Sequence, residues 1–127
     1  MIISTGIDIV EVYRIREAMT RTPRFRERVF TEAEQSYCDA RGAAAFQSFA
    51  ARFAAKEAML KALKTGWSGA IAWRDVEVRI AEDGSPFIRL FGEAEKLFRM
   101  SGADTVHLAL SHTSEHAIAQ VILEKTG

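Results

Sequence analysis

Apolar residues change their spacing repeatedly along this chain, and each change predicts a different element. Ile2 to Val10 is a nearly unbroken run of apolar and β-branched residues, which predicts a buried strand ending near Asp8. From Glu11 the spacing turns helical, with Val12, Ile15 and Met19 on one face and a stop before Thr22-Pro23. Pro23 suits the first turn of a second short segment, with Thr22 as its cap. Thr31-Glu32-Ala33-Glu34 matches a capping box, so a further helix is expected from there to Arg41, closed by Gly42. A long helix follows from about Ala44 to Lys64, and Gly66 is its natural C-terminal residue.

Beyond Gly66 the period drops to two. Val76, Val78 and Ile80 alternate with Asp75, Glu77 and Arg79, which predicts a strand with one wet face. Glu82 to Pro86 reads as a turn and Phe87 to Phe91 as the returning strand. Glu93 to Met100 is a short helix closed by Ser101-Gly102. Val106, Leu108 and Leu110 alternate, as do Ile118, Gln120 and Ile122, across a polar turn at His112 to His116. Strand, helices, hairpin, helix, hairpin is the order of a single α+β domain. Antiparallel strands pack with a long central helix, and there are no alternating βαβ units.

At 127 residues the chain makes one domain burying roughly two-thirds of its unfolded surface, a modest core that association would help. Its 48% hydrophobic and 27% charged residues are those of an ordinary globular protein. No apolar run approaches the ~20 residues of a membrane span. The single cysteine, Cys38, excludes an internal disulfide and a cysteine-based zinc site, and a reduced thiol points to the cytoplasm.

Seventeen basic and seventeen acidic residues cancel, which argues against a general nucleic-acid binder. The cancellation hides a cluster: Arg14, Arg16, Arg21, Arg24, Arg26 and Arg28, against only Glu17 and Glu27. Such runs are usually solvated helix faces. All being arginine, the side chain that pairs carboxylates bidentately, they fit an acidic partner.

The long helix carries the most informative stretch, Phe53-Ala54-Ala55-Lys56-Glu57-Ala58-Met59-Leu60-Lys61-Ala62. With Phe46 as origin, Phe53 and Leu60 lie about 20° and 40° to one side, Glu57 about 20° and Lys61 about 60° to the other. A carboxylate inside the apolar stripe needs a cation nearby. Lys61, four residues on, can supply it, and so can a metal ion with a phosphate. Asp8 sits in an apolar strand on the face of Gly6 and Val10. Alone it reads as a structural acid; with Glu57 it favours a two-carboxylate Mg²⁺ site. Ser111-His112-Thr113-Ser114, at a strand end, offers hydroxyls, amides and an imidazole to a phosphate. No nucleophilic triad or glycine-rich phosphate loop is present.

Gly6-Ile7-Asp8-Ile9-Val10-Glu11, then Arg52 to Ala58 continuing through Lys61-Ala62 to Thr65-Gly66, then Ser111-His112-Thr113, occur in a familiar order and spacing. Together they resemble the holo-acyl-carrier-protein synthases, the short class of 4′-phosphopantetheinyl transferases, over Ile3 to Glu124. The resemblance implies transfer of phosphopantetheine from coenzyme A to a serine of acyl carrier protein, releasing adenosine 3′,5′-bisphosphate, in support of fatty acid biosynthesis. It implies Mg²⁺ at Asp8 and Glu57, with Glu57 and Lys61 catalytic. Coenzyme A and its phosphates would meet Arg52, Lys61, Lys64, Gly66, Ser111, His112 and Thr113. It also implies a homotrimer with coenzyme A in clefts between subunits. Lys64 departs from the glycine common in relatives, and Trp67 from a small aliphatic.

The chemistry agrees: a metal and a lysine neutralise pyrophosphate without a covalent step. Glu57 would deprotonate the carrier serine either directly or through a metal-bound water. Acyl carrier proteins are acidic around that serine, which gives Arg14, Arg21 and Arg24 a docking role. Two rivals are a Mg²⁺-dependent nucleotide hydrolase with the same acids and a non-catalytic binder of acidic helices.

Overall fold

A computed structural model describes residues 1–64 and 70–127. Strand β1 (Ile2–Glu11) leads into α1 (Val12–Arg21), α2 (Phe25–Val29), α3 (Glu32–Asp39) and the long α4 (Ala45–Leu63). The hairpin of β2 (Val76–Ile80) and β3 (Pro86–Leu90), α5 (Gly92–Met100), and the hairpin of β4 (Thr105–His112) and β5 (His116–Glu124) complete the order. This is the expected α+β arrangement. Among the described residues the strands form two sheets, β1-β5-β4 and β2-β3, and every pairing is antiparallel.

β1 runs past Asp8 because its pairing with β5 continues to Glu11 opposite His116, leaving Asp8 mid-strand opposite Ala119. Helix α4 crosses the inner face of the larger sheet. Ala54, Ala55, Ala58, Met59 and Ala62 pack with Ala119, Val121 and Leu123 in one part of the core. Phe30, Phe49, Val12, Ile15 and Val29 form the other. Small side chains let backbones close up: a Cβ added to Gly6 would lie 2.0 Å from the Ala58 carbonyl oxygen. That contact requires glycine.

Several local expectations are corrected. The helical wheel placed the buried stripe of α4 through Phe46, Phe53, Glu57 and Leu60; Leu60 is buried, yet the other three are only half-buried. Also buried are Phe49, Met59, the alanines from Ala50 to Ala62, Arg52 and Lys56. α4 is central, so neighbours cover it on several sides and bury large apolar and small side chains alike. Pro23 does not open α2, whose N-cap is Arg24 in the left-handed region at φ 67°. Thr31 and Glu34 form the capping box as expected. α3 nevertheless stops at Asp39, and Gly42, at φ +59°, begins a short 3₁₀ turn (Gly42–Ala44) into α4. The wet face of β2 is interrupted by Glu77, buried because the Thr31 hydroxyl and Arg79 Nε donate to it at 2.7 and 2.8 Å.

Candidate active site

The Gly6–Ala58 contact sets the site. It pins β1 against the last turns of α4, and the Ser4 hydroxyl donates to the Ala62 carbonyl at 2.6 Å as a second tie. Two residues beyond Gly6, on the same face, Asp8 turns its carboxylate toward the helix. Lys61 Nζ donates to Asp8 Oδ1 at 3.0 Å and to the Ile7 carbonyl at 2.9 Å. The Asp8 side chain is 17% exposed and that of Lys61 53%, so the pair is sheltered on its acid side and open on its base side. Glu57 lies one turn before Lys61, about 40° from it around the helix, on the more open side of α4. Asp8, Lys61 and this side of α4 are brought together; the described cation beside Asp8 is Lys61.

The remaining phosphate candidates lie elsewhere. Arg52 is about half a turn around α4 from Lys61, stacked over Tyr37 at 4.3 Å, with Nη1 donating to the Ser48 carbonyl at 3.3 Å. Its buried Nε has no hydrogen-bond partner among the described residues. Arg52 lines a cavity of about 160 Å³ with Tyr37, Val78 and Arg79. Ser111 and His112 end β4 and are exposed, while Thr113 Oγ1 accepts from the amides of Glu115 and His116 to build the turn. His112 is two strands from Asp8, across β5. Lys64 caps α4 in the left-handed region at φ 62°, a conformation that favours glycine. Thr65, Gly66 and Trp67 lie outside the described residues.

Arg14 and Arg21, seven residues apart, share a face of α1 and are 67% and 80% exposed, Arg14 paired with Glu11 and Arg21 with Glu17. Such exposed pairs are weak and leave the arginines available. Arg24 is exposed beside them in sequence. Arg26 is diverted into the fold, bonding Asp39 and Gln35 and lying over Phe49.

The chain matches the model of the 4′-phosphopantetheinyl transferase superfamily over residues 4–121. A holo-[acyl-carrier-protein] synthase of Koribacter versatilis is 46% identical over 125 residues, 98% of this chain and 99% of that one. The chain belongs to the holo-acyl-carrier-protein synthase family. Among solved structures, the Neisseria meningitidis synthase has a TM-score of 0.85 at 33% identity, covering 98% of this chain and 100% of that one. The Bacillus anthracis synthase, described as a complex with CoA (3′,5′-ADP), has a TM-score of 0.81 at 37% identity, covering 99% of both chains. The observed fold is therefore the family's fold.

One feature of this family member escaped sequence reasoning. Lys56, next to Glu57, is the fully buried charge of α4 and bonds Glu34 at 2.9 Å, both side chains being 0% exposed. In the sequence Glu34 shows only its capping-box role. A lysine amid alanines was the available signal. Burial pushes the Lys56 ammonium below the ordinary lysine range, and the Glu34 carboxylate opposes that shift. Burial also pushes the Cys38 thiol up to about 12, so it stays protonated and unreactive.

Proposed function

We infer that this protein transfers 4′-phosphopantetheine from coenzyme A to a serine of apo acyl carrier protein, releasing adenosine 3′,5′-bisphosphate and so serving fatty acid biosynthesis. The observation that carries the reading is the junction of β1 and α4, where Asp8 and Lys61 meet beside Glu57. It lies within a fold shared with a coenzyme A-bound synthase at 37% identity.

Asp8 and Glu57 offer hard carboxylate oxygens suited to Mg²⁺. Among the described residues no three His, Cys, Asp or Glu side chains gather to hold a metal. A two-carboxylate site therefore has to complete its shell with waters and phosphate oxygens, as Mg²⁺ commonly does. Bound there, Mg²⁺ would neutralise pyrophosphate charge. Lys61, held by Asp8 and the Ile7 carbonyl, places an ammonium where negative charge grows as the β-phosphate bond to the leaving group breaks. Glu57 takes the proton of the serine hydroxyl as its oxygen bonds to that phosphorus. The leaving group departs as adenosine 3′,5′-bisphosphate, and no covalent enzyme intermediate forms.

Arg52, with an unsatisfied Nε beside Arg79 and Tyr37, is a second phosphate point on the opposite side of α4. The packed helix separates it from Lys61, so coenzyme A engages both sets more readily across neighbouring subunits. The outer face of the larger sheet supports such an assembly: Ile7 and Ile9 are 56% and 62% exposed and Ile118 37%. With the number of subunits taken from the family resemblance, we read the working form as a homotrimer, and its carrier and coenzyme A chemistry as cytoplasmic.

The purified protein would be incubated with coenzyme A, Mg²⁺ and apo carrier, and the carrier weighed. A gain of one phosphopantetheine that vanishes with EDTA is the expected result. Coenzyme A cleaved with the carrier unchanged would point to a hydrolase, and no reaction at all to a binding protein. Light scattering on the same sample gives the subunit count.

A further inference from the structure

Lys56 precedes Glu57 and has three ammonium hydrogens to place. One goes to Glu34 Oε1 at 2.9 Å, one to the Trp73 carbonyl at 3.2 Å, and one to the Val76 carbonyl. The acceptors stand on α3, on the turn before β2, and at the start of β2. Glu34 is equally committed. Its Oε1 also accepts from the Thr31 amide at 2.9 Å, and its Oε2 from the Val78 amide at 2.8 Å. Thr31 passes the network on to Glu77 at 2.7 Å. No donor of Lys56 remains for a substrate, so it does not touch the reacting atoms.

Burying both charges is costly, and apolar residues of the same volume generally stabilise such a site as well or better. Stability therefore does not explain the pair. Direction does. On its sheet side α4 rests on alanines and Gly6, contacts that are non-directional in their attraction, and the bonds to β1 from Lys61 and at the Ala62 carbonyl come at its C-terminal end. On its other side the Lys56–Glu34 network supplies bonds of fixed length and angle to α3 and to the stretch that runs from Trp73 into β2.

We propose that Lys56 and Glu34 are positioning residues: they lock the rotation of α4 about its axis and thereby aim Glu57 and Lys61 at the phosphates. This rests on the phosphopantetheinyl-transfer reading above. A rotation of roughly 20° swings a carboxylate about 6 Å from the helix axis by about 2 Å. Misplacement of about 1 Å can cost on the order of 100-fold in rate.

The test compares wild type, Lys56→Met, Glu34→Gln and the neutral double variant, each assayed well below its melting temperature with carrier and coenzyme A varied in turn. Lys56→Met leaves Glu34 buried without its cation and should melt lower. The double variant should recover most of that loss while kcat stays at least tenfold below wild type. KM for the carrier should change less than about threefold in every folded variant, because Arg14, Arg21 and Arg24 lie on other elements. A folded double variant with wild-type kcat overturns the proposal, since the pair would then serve stability alone. Should Lys56→Met not fold, Glu34→Gln and the double variant decide; if none of the variants folds, the network holds the fold rather than the aim, and the proposal fails. A wild-type protein that transfers nothing removes the functional reading and this proposal with it. A wild type that transfers while folded variants keep pace removes this proposal only.

Discussion

Gly6→Ala puts the smallest possible side chain into the contact that positions the site. The new Cβ would sit 2.0 Å from the Ala58 carbonyl oxygen, 2.8 Å from the Ala62 nitrogen and 3.1 Å from the Ala58 carbonyl carbon. All three are backbone atoms of α4, so no side chain can swing aside. Ordinary contact begins near 3.4 Å, and β1 has to retreat by roughly 1.4 Å to regain it. Asp8 rides on the same strand two residues away, so its 3.0 Å bond from Lys61 lengthens past hydrogen-bonding distance. Overpacking of this kind costs about 1–3 kcal/mol, a fall of several degrees in melting temperature for a domain of this size. The displacement should lower turnover by about 100-fold. Carrier mass against time gives the rate, and a circular-dichroism melt gives the stability. Transfer within twofold of wild type, with an unchanged melt, would refute the claim that the strand–helix contact sets the geometry.

Lys61→Ala should cut turnover by about 10²-fold or more, as loss of one electrostatic stabiliser does; a lower melting temperature with unchanged turnover would make the Asp8–Lys61 pair purely structural. Replacing Arg14, Arg21 and Arg24 together by alanine should raise KM for the carrier at low salt, with the difference fading above ~0.1 M, where screening acts within ~10 Å. KM for coenzyme A should hold, and a carrier KM that stays at the wild-type value makes the cluster an ordinary solvated face. Lys64→Gly should raise the melting temperature by a few degrees, because a lysine at φ 62° gives up about 1 kcal/mol relative to a residue without a Cβ. A lower melting temperature would show that Lys64 makes contacts worth more than its backbone strain.

Much of this protein was determined by local rules acting on its sequence. The order of strands and helices follows from periodicity, the start of α3 from the Thr31–Glu34 box, and the hairpin of β2 and β3 from Glu82 to Pro86. Asp8, Glu57 and Lys61 stood out because charge interrupted an apolar pattern, and the motif order named the family. What the pattern could not rank was the surroundings of α4. A helical wheel assumes one wet and one dry side, whereas this helix is covered by β1 and β5 on one side and by α1, α3 and β2 on others. The pattern therefore assigns Lys56 no role and gives Glu34 only that of a cap, although they form the buried bond between two helices. Likewise periodicity puts Arg52 and Lys61 on opposite sides of α4, but only the packing gives Arg52 to Tyr37 and Lys61 to Asp8. Periodicity reports which side chains share a face of their own element, while burial and partnership depend on what other elements bring to that face. Only the tertiary packing decides that.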